Sequence, residues 1–304
     1  MINKVDILVA ATVGLLALPA HAFTSDFILT YAEAPSATNS TLADTSIFDF
    51  NNLTVATHLT NVNWSGVGTY SQLYVINGNE YGGAAGSHYP VESAKTSLGD
   101  TPTVTLTLDT PAAYFGMWWS AGDANNFLSF YSSGNLLASF STATLLSKLP
   151  ATYFGNPTPG YKGLDPTEAF AFINFFGQEG TTFDKIVFSD PSTTSGFESD
   201  NHTVRGTAYG LDPKDTGPLP GVPVEEIVNT NGTQTIITDP TQLAQNAQAA
   251  PEPGELSLIG LGLVVVFWLV FWKKPEPRVS QPLSADSGKT HNPPPPARPP
   301  SALG

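Results

Sequence analysis

The chain has 304 residues, no cysteine, 27 Gly and 26 Pro, and its 12 Lys+Arg against 26 Asp+Glu leave a formal net charge of −14. That balance excludes a nucleic-acid binder, which needs a basic face to set against phosphate. The lack of cysteine excludes disulfide scaffolds, thiolate zinc sites and cysteine nucleophiles together.

In chain order, the first element is a charged start at Lys4, an apolar or small run from Ile7 to Leu18, then Pro19 and the small-x-small pattern Ala20-His21-Ala22. This predicts a secretory signal peptide over 1–22, cut by signal peptidase after Ala22. As a helix the run would reach only about 18 Å, short of the roughly 30 Å hydrocarbon core of a bilayer.

From Phe23 to Leu211 the chain is rich in Thr, Ser, Gly, Asn and aromatics in short alternating runs, which predicts strands. Candidates are Phe27–Tyr31, Ile47–Phe50, Val55–Leu59, Gln72–Ile76, Thr103–Leu108, Tyr114–Trp119, Phe127–Tyr131, Leu136–Phe140, Ala169–Phe176, Phe183–Phe188 and Thr203–Tyr209. Thr103–Leu108 alternates strictly, with Val104, Leu106 and Leu108 on one face and threonines on the other. Ser132-Ser133-Gly134-Asn135 between two of the runs reads as a hairpin turn. The expected fold is all-β, an antiparallel sandwich of jelly-roll type over 23–211, long enough for one core.

Residues 212–250 lose the bulky aromatics and read as a stalk. Within them 226–238 (EIVNTNGTQTIIT) places Asn231-Gly232 between two β-prone arms, a hairpin that would stand alone or add to a sheet edge. Leu256–Trp272 is an uncharged apolar run that stops at Lys273-Lys274. At about 26 Å it predicts one transmembrane helix, with Trp268 and Trp272 as interfacial anchors. The two lysines place the preceding chain outside the cytoplasm. The tail, 275–304, holds 9 prolines and reads as a solvated, disordered or polyproline II cytoplasmic segment.

Pro251-Glu252-Pro253, the apolar run and the basic stop, together 251–274, resemble the PEP-CTERM sorting signal. That resemblance implies recognition of Pro251, Glu252 and Pro253 by exosortase, a membrane transpeptidase. Tyr153-Phe154-Gly155-Asn156-Pro157, Tyr114–Asn126 and Phe183–Val204 resemble a family of exosortase-dependent surface proteins of unknown biochemical activity. This second resemblance implies a β-rich globular body and an exported location, and it supplies no reaction.

Two acidic clusters are candidate ligand sites: Asp123, Asn125 and Asn126 in the loop before Phe127, and Glu198, Asp200, Asn201 and His202 in a loop leading into the Thr203 strand. If the fold brings them to one end they would offer oxygens to Ca²⁺, which takes about 6 to 8. The competing reading is Asx-turn chemistry, in which such side chains bond their own backbone. Trp118 and Trp119 are candidate sugar-stacking rings, one on each face of a strand, with aromatic core packing as the alternative. Glu198 with Asp123 is the pair a glycosidase would need. The five histidines show no metal-ligand spacing, and Gly82-Gly83-Ala84-Ala85-Gly86 reads as a flexible turn.

Three functions follow, in order of preference. The first is an exported, exosortase-sorted, non-catalytic protein of the cell surface or extracellular matrix, associated with exopolysaccharide and anchored in the inner membrane as a precursor. The second is a lectin-like module, with Ca²⁺ as its candidate cofactor. The third is a polysaccharide hydrolase or lyase.

Overall fold

A computed structural model describes residues 26–56, 58–178, 180–230, 233–239 and 242–243. The chain divides after Ser257, and every described residue belongs to the first unit. The expectations for 1–22, for 251–274 and for 275–304 lie outside the described residues. Among the described residues no helix is long and apolar enough to cross a membrane.

The body is all-β, with antiparallel pairing throughout its ladders. Among the described residues there are fourteen strands: β1 Phe27–Tyr31, β2 Ser46–Phe48, β3 His58–Trp64, β4 Gly68–Ile76, β5 Tyr89–Glu92, β6 Thr103–Ala112, β7 Tyr114–Gly122, β8 Phe127–Ser132, β9 Asn135–Ser141, β10 Ala169–Gly177, β11 Phe183–Ser189, β12 Phe197–Arg205, β13 Val222–Thr230 and β14 Thr233–Ile237. A short helix, α1 Thr142–Leu146, follows β9 and is capped by the Ser141 side chain, which accepts from the Ala143 amide.

The hydrogen-bonded order is β14-β13-β1-β10-β7-β12-β5-β4-β6-β11-β8-β9, with β2 beside β12 and β3 beside β4. The path folds back on itself into a nearly closed, barrel-like shape. At the seam between its two ends, Gln234 Nε2 donates to the Leu137 carbonyl and Lys148 Nζ to the Thr238 carbonyl, each at 3.3 Å. β13 and β14 form a hairpin around residues 231–232, and β13 also pairs with β1, so the sheet continues past residue 211. An isolated hairpin is marginal in water; docking on β1 gives this one a ladder and a core.

The two runs of strands, β13-β1-β10-β7-β12 and β4-β6-β11-β8-β9, face each other across an aromatic core. Phe130 of β8 lies 5.3 Å from Phe27, 5.1 Å from Phe175 and 4.9 Å from Phe183, centroid to centroid. Phe140 of β9 meets Phe175 of β10 edge-on at 5.0 Å. Offset and edge-on rings are the arrangements that the aromatic quadrupole favours. A cavity of about 10 Å³ near α1, lined by Leu29, Leu128, Phe140, Leu145, Ile173 and Phe175, leaves room for one water at most.

The two layers differ in what covers their outer faces. On β6, Val104, Leu106 and Leu108 point inward and Thr103, Thr105 and Thr107 outward toward solvent, the pattern of a half-buried strand. β7 and β10 are buried at every position. Their inward residues, Phe115, Met117 and Trp119 with Ala171, Ile173 and Phe175, belong to the main core. Their outward residues form two further apolar clusters, Tyr114 and Phe176 with Ile28 and Leu219, and Trp118 with Phe170, Phe172, Ala84 and Ala121. Residues 212–221, expected in the stalk, lie against this outer face: Leu219 joins the first cluster, and the Thr30 hydroxyl donates to the Pro220 carbonyl at 2.7 Å.

Candidate functional site

The residues predicted to carry chemistry converge on β12, Phe197–Arg205. Asp and Asn are poor strand formers, so FESDN reads as a loop, yet all nine residues of β12 are buried. Glu198, Asp200, Asn201 and His202 therefore sit within the strand, which begins six residues before the expected Thr203 and ends at Arg205. β7 supplies the partner ladder, and its register against β12 shifts between Asp200 and Thr203. Asn201 there has φ 48°, the left-handed conformation that Asn tolerates better than most side chains and that bulges use.

The bulge sets which face each side chain takes. Before it, Ser199 pairs with inward Trp119 and Asp200 with outward Trp118; after it, Val204 pairs with inward Phe115 and Arg205 with outward Tyr114. Ser199 and His202 consequently share the inner face, although three positions separate them. His202 Nε2 lies 2.9 Å from Ser199 Oγ and its Nδ1 lies 2.9 Å from Tyr70 Oη. Its ring stacks on Phe188 at 4.9 Å and meets Phe50 and Phe115 edge-on. A hydroxyl, an imidazole and an orienting group in a row have the connectivity of an activated nucleophile. All three are sealed in the core, so no substrate atom reaches Ser199. Burial pushes His202 down to about 3, which keeps the ring neutral at physiological pH.

The outward side chains of β12 are covered by loops. Asp200 Oδ2 accepts from the Ala84 amide at 2.7 Å and from the Ser87 hydroxyl at 2.5 Å, and Oδ1 accepts from the Asn201 amide at 2.7 Å. The glycine-rich segment expected to be a flexible turn is thus a fitted cover over Asp200. Gly83 has φ 91°, and a Cβ there would stand 2.3 Å from the Ser87 carbonyl oxygen. Asn201 Nδ2 donates to the Thr38 carbonyl and to Asn39 Oδ1. Arg205 forms a bidentate pair with Asp215, both bonds 2.8 Å, and lies 3.3 Å from Asp212. Glu198 is packed beneath Gly196 and Val91: a Cβ on Gly196 would come within 2.5 Å of its Oε1.

The loop before β8 is used in the same way. Asp123 Oδ1 accepts from the Asn125 amide at 2.6 Å, an Asx-turn, while Asn125 points to solvent. Asn126 is fully buried, its Oδ1 accepting from Trp119 Nε1 at 2.8 Å and its Nδ2 donating to the Gly196 carbonyl. The Ca²⁺ reading required oxygens free to converge. Asp200 spends both oxygens, and Asn126 and Asp123 one each, on backbone and core partners, and among the described residues no group of three or more His, Asp or Glu could hold a metal ion.

Trp118 and Trp119 do take opposite faces of β7, but at 1% and 0% exposure neither offers a ring to a sugar. The stacking assignment is corrected: loops close the outer face over Trp118, and Asn126 holds Trp119 in the main core. Trp119→Phe would leave the Asn126 carbonyl oxygen without its indole donor, an expected cost of about 1–3 kcal/mol, readable as a lower urea midpoint. A change below about 0.5 kcal/mol would show that the bond contributes nothing.

Sequence reasoning did not find β5, Tyr89–Glu92, or the carboxyl it carries. Glu92 is 1% exposed and its Oε2 has no hydrogen-bond partner. Burial pushes it up to about 8, and the neighbouring Asp190 adds to the rise. Burial likewise raises Asp200 to about 7 against its three hydrogen bonds, raises Asp190 to about 6, and holds Glu198 well above the carboxylate range. Asp123 further raises both Asp190 and Glu198. The proposed glycosidase pair thus has one member, Glu198, closed inside the fold, where it cannot meet a glycosidic oxygen. The only sequence hint of Glu92 was a lone acid in a short apolar stretch, YPVE.

Comparison with protein-family models, with curated proteins and with solved structures gives no match for this chain.

Proposed function

We propose that the chain is an exported, exosortase-sorted, non-catalytic protein of the cell surface or extracellular matrix, associated with exopolysaccharide and built on a jelly-roll-like sandwich. The observation that carries this reading is the three-part segment 251–274: Pro251-Glu252-Pro253, the uncharged run 256–272 and Lys273-Lys274. Two prolines keep their stretch extended and out of the following helix, where a membrane enzyme would grip it at the lipid boundary. Signal peptidase would act after Ala22 and exosortase at the second signal. In this reading the inner membrane holds the precursor through 256–272 before release to the surface.

The acidic body supports an external role. Residues 23–255 carry 23 acidic and 6 basic side chains, a balance that favours solubility and repels acidic polymers except through cations or neutral sugars. The loops over β12 act as cover for a packed face, which suits a structural module more than a reactive one.

Alanine at both Pro251 and Pro253 is expected to leave the longer, membrane-bound form in place. Intact-mass measurement of secreted and membrane fractions reads both cleavages at once. Maturation identical to that of the unaltered chain would remove exosortase from the reading.

A further inference from the structure

β5 is the strand through which the hydrogen-bonded path passes from one layer to the other, and its ladders are short. Phe197 and Glu198 of β12 pair with Glu92 and Val91, while Val75 and Ile76 of β4 pair with Pro90 and Tyr89. Two acids flank this junction from opposite faces: Glu92 shares the inner face with Phe197, and Glu198 shares the outer face with Val91 and Ser120. Both are buried, and the Glu92 Oε2 and Ser120 Oγ atoms lack hydrogen-bond partners. Among the described residues the ion pairs run to Arg205 and Lys214, and none reaches Glu92 or Glu198.

We propose that the β5 corner is a proton-held latch, which joins the two layers while Glu92 and Glu198 carry their protons and opens when they ionise.

Burial is the largest influence on both acids and outweighs a backbone hydrogen bond that lowers each; the charged neighbours act with the burial. Asp190, from the loop after β11, raises both acids, and Asp123, from the loop after β7, raises Glu198. Tyr70 of β4 and Tyr89 of β5 are neutral neighbours, both held above the usual phenol range by burial. His202, on the same face of β12 as Phe197, is kept neutral and supplies no positive charge. Lys95, just past β5, forms no ion pair with the acids. Each new negative charge therefore enters a site with low dielectric and other carboxyls nearby, and opening to water is its relief.

The test is amide hydrogen exchange on the full chain in detergent, expressed as protection factors for β5 with β1 as internal reference. Between the ordinary carboxyl range and about pH 8, protection at Tyr89, Val91 and Glu92 is expected to fall about tenfold per pH unit for each acid that stays protonated in the closed state. β1, which exchanges through global unfolding, shares the pH dependence of the whole fold and is expected to stay better protected than β5 at every pH. Glu92→Gln with Glu198→Gln, which copies the protonated shape, is expected to flatten the profile. β5 protection equal to that of β1 at every pH, which would mean that β5 opens only with the whole fold, or an equally steep β5 profile in the double variant, would overturn the latch. If the double variant fails to fold, ¹³C titration of the unaltered chain decides: Glu92 and Glu198 carboxyl resonances that titrate below about pH 5 refute the proposal, and titration above pH 6 supports it.

Discussion

The full chain is expected to be more stable at about pH 5 than at about pH 8.5, the reverse of the usual loss toward acid. Buried carboxyls with raised pKa values set the sign, four of them most strongly. Glu92, Asp200 and Asp190 are raised to about 8, 7 and 6, and Glu198 is raised well above its ordinary value, in each case mainly through burial. A carboxyl raised on folding binds its proton more tightly in the native state. Its contribution is complete below the unfolded pKa, near 4, and is lost as pH rises through the folded one. For Glu92 alone the shift corresponds to a loss on the order of 4 kcal/mol by pH 8.5. His202 works in the opposite sense. Lowered to about 3 by burial, it contributes above its unfolded value and loses that contribution as pH falls through its folded one. One histidine below about pH 6.5 offsets only part of what four carboxyls gain there, so the maximum should fall in the acidic range. Urea midpoints at about pH 5, 6.5 and 8.5 measure it. A flat profile, or one rising with pH, would mean that these carboxyls are ionised in the native protein.

Arg205→Ala is expected to lower stability by about 3–5 kcal/mol, because it leaves the Asp215 carboxylate buried without its bidentate partner. Asp215 retains one bond, from the Gly210 amide at 3.0 Å, and that cannot replace a guanidinium. The effect should spread to the cover over the outer face, since Arg205 is the tie between β12 and residues 210–215. Adding Asp215→Asn to Arg205→Met should recover much of the loss, because the orphaned charge is then gone. Thermal melts of the single and double variants check this. A single variant within about 1 kcal/mol of the parent would show that water reaches the Asp215 carboxylate once its partner is gone.

The strands that were easiest to read are those with one wet face. Thr103–Leu108 alternates because threonines face solvent and Val104, Leu106 and Leu108 face the core; the structure extends that strand only to Ala112. β1 matches its expected limits, Phe27–Tyr31, and β8 and β9 meet at the predicted turn. β3 starts at His58 and runs to Trp64, later than Val55–Leu59, because its polar HLTN text hides an exposed edge strand beside β4. β12 was hardest. Its acids and Asn201 have loop propensities, and only the Thr38–Asn39, 83–87 and 210–215 covers make a strand of them tolerable by supplying partners.

The amino-acid sequence by itself determined the antiparallel all-β class, the acidic and cysteine-free body, and the hairpin text around residues 231–232, because those follow from local period and composition. Tertiary structure alone decided which faces of the sheet are dry. Trp118 is buried because loops distant in sequence fold over β7, and Ser199 meets His202 because a bulge at Asn201 restores a common face. Glu92 becomes a proton-holding acid only where the path turns between layers. Burial and register are sums over contacts between remote segments, and no window of neighbouring residues contains them.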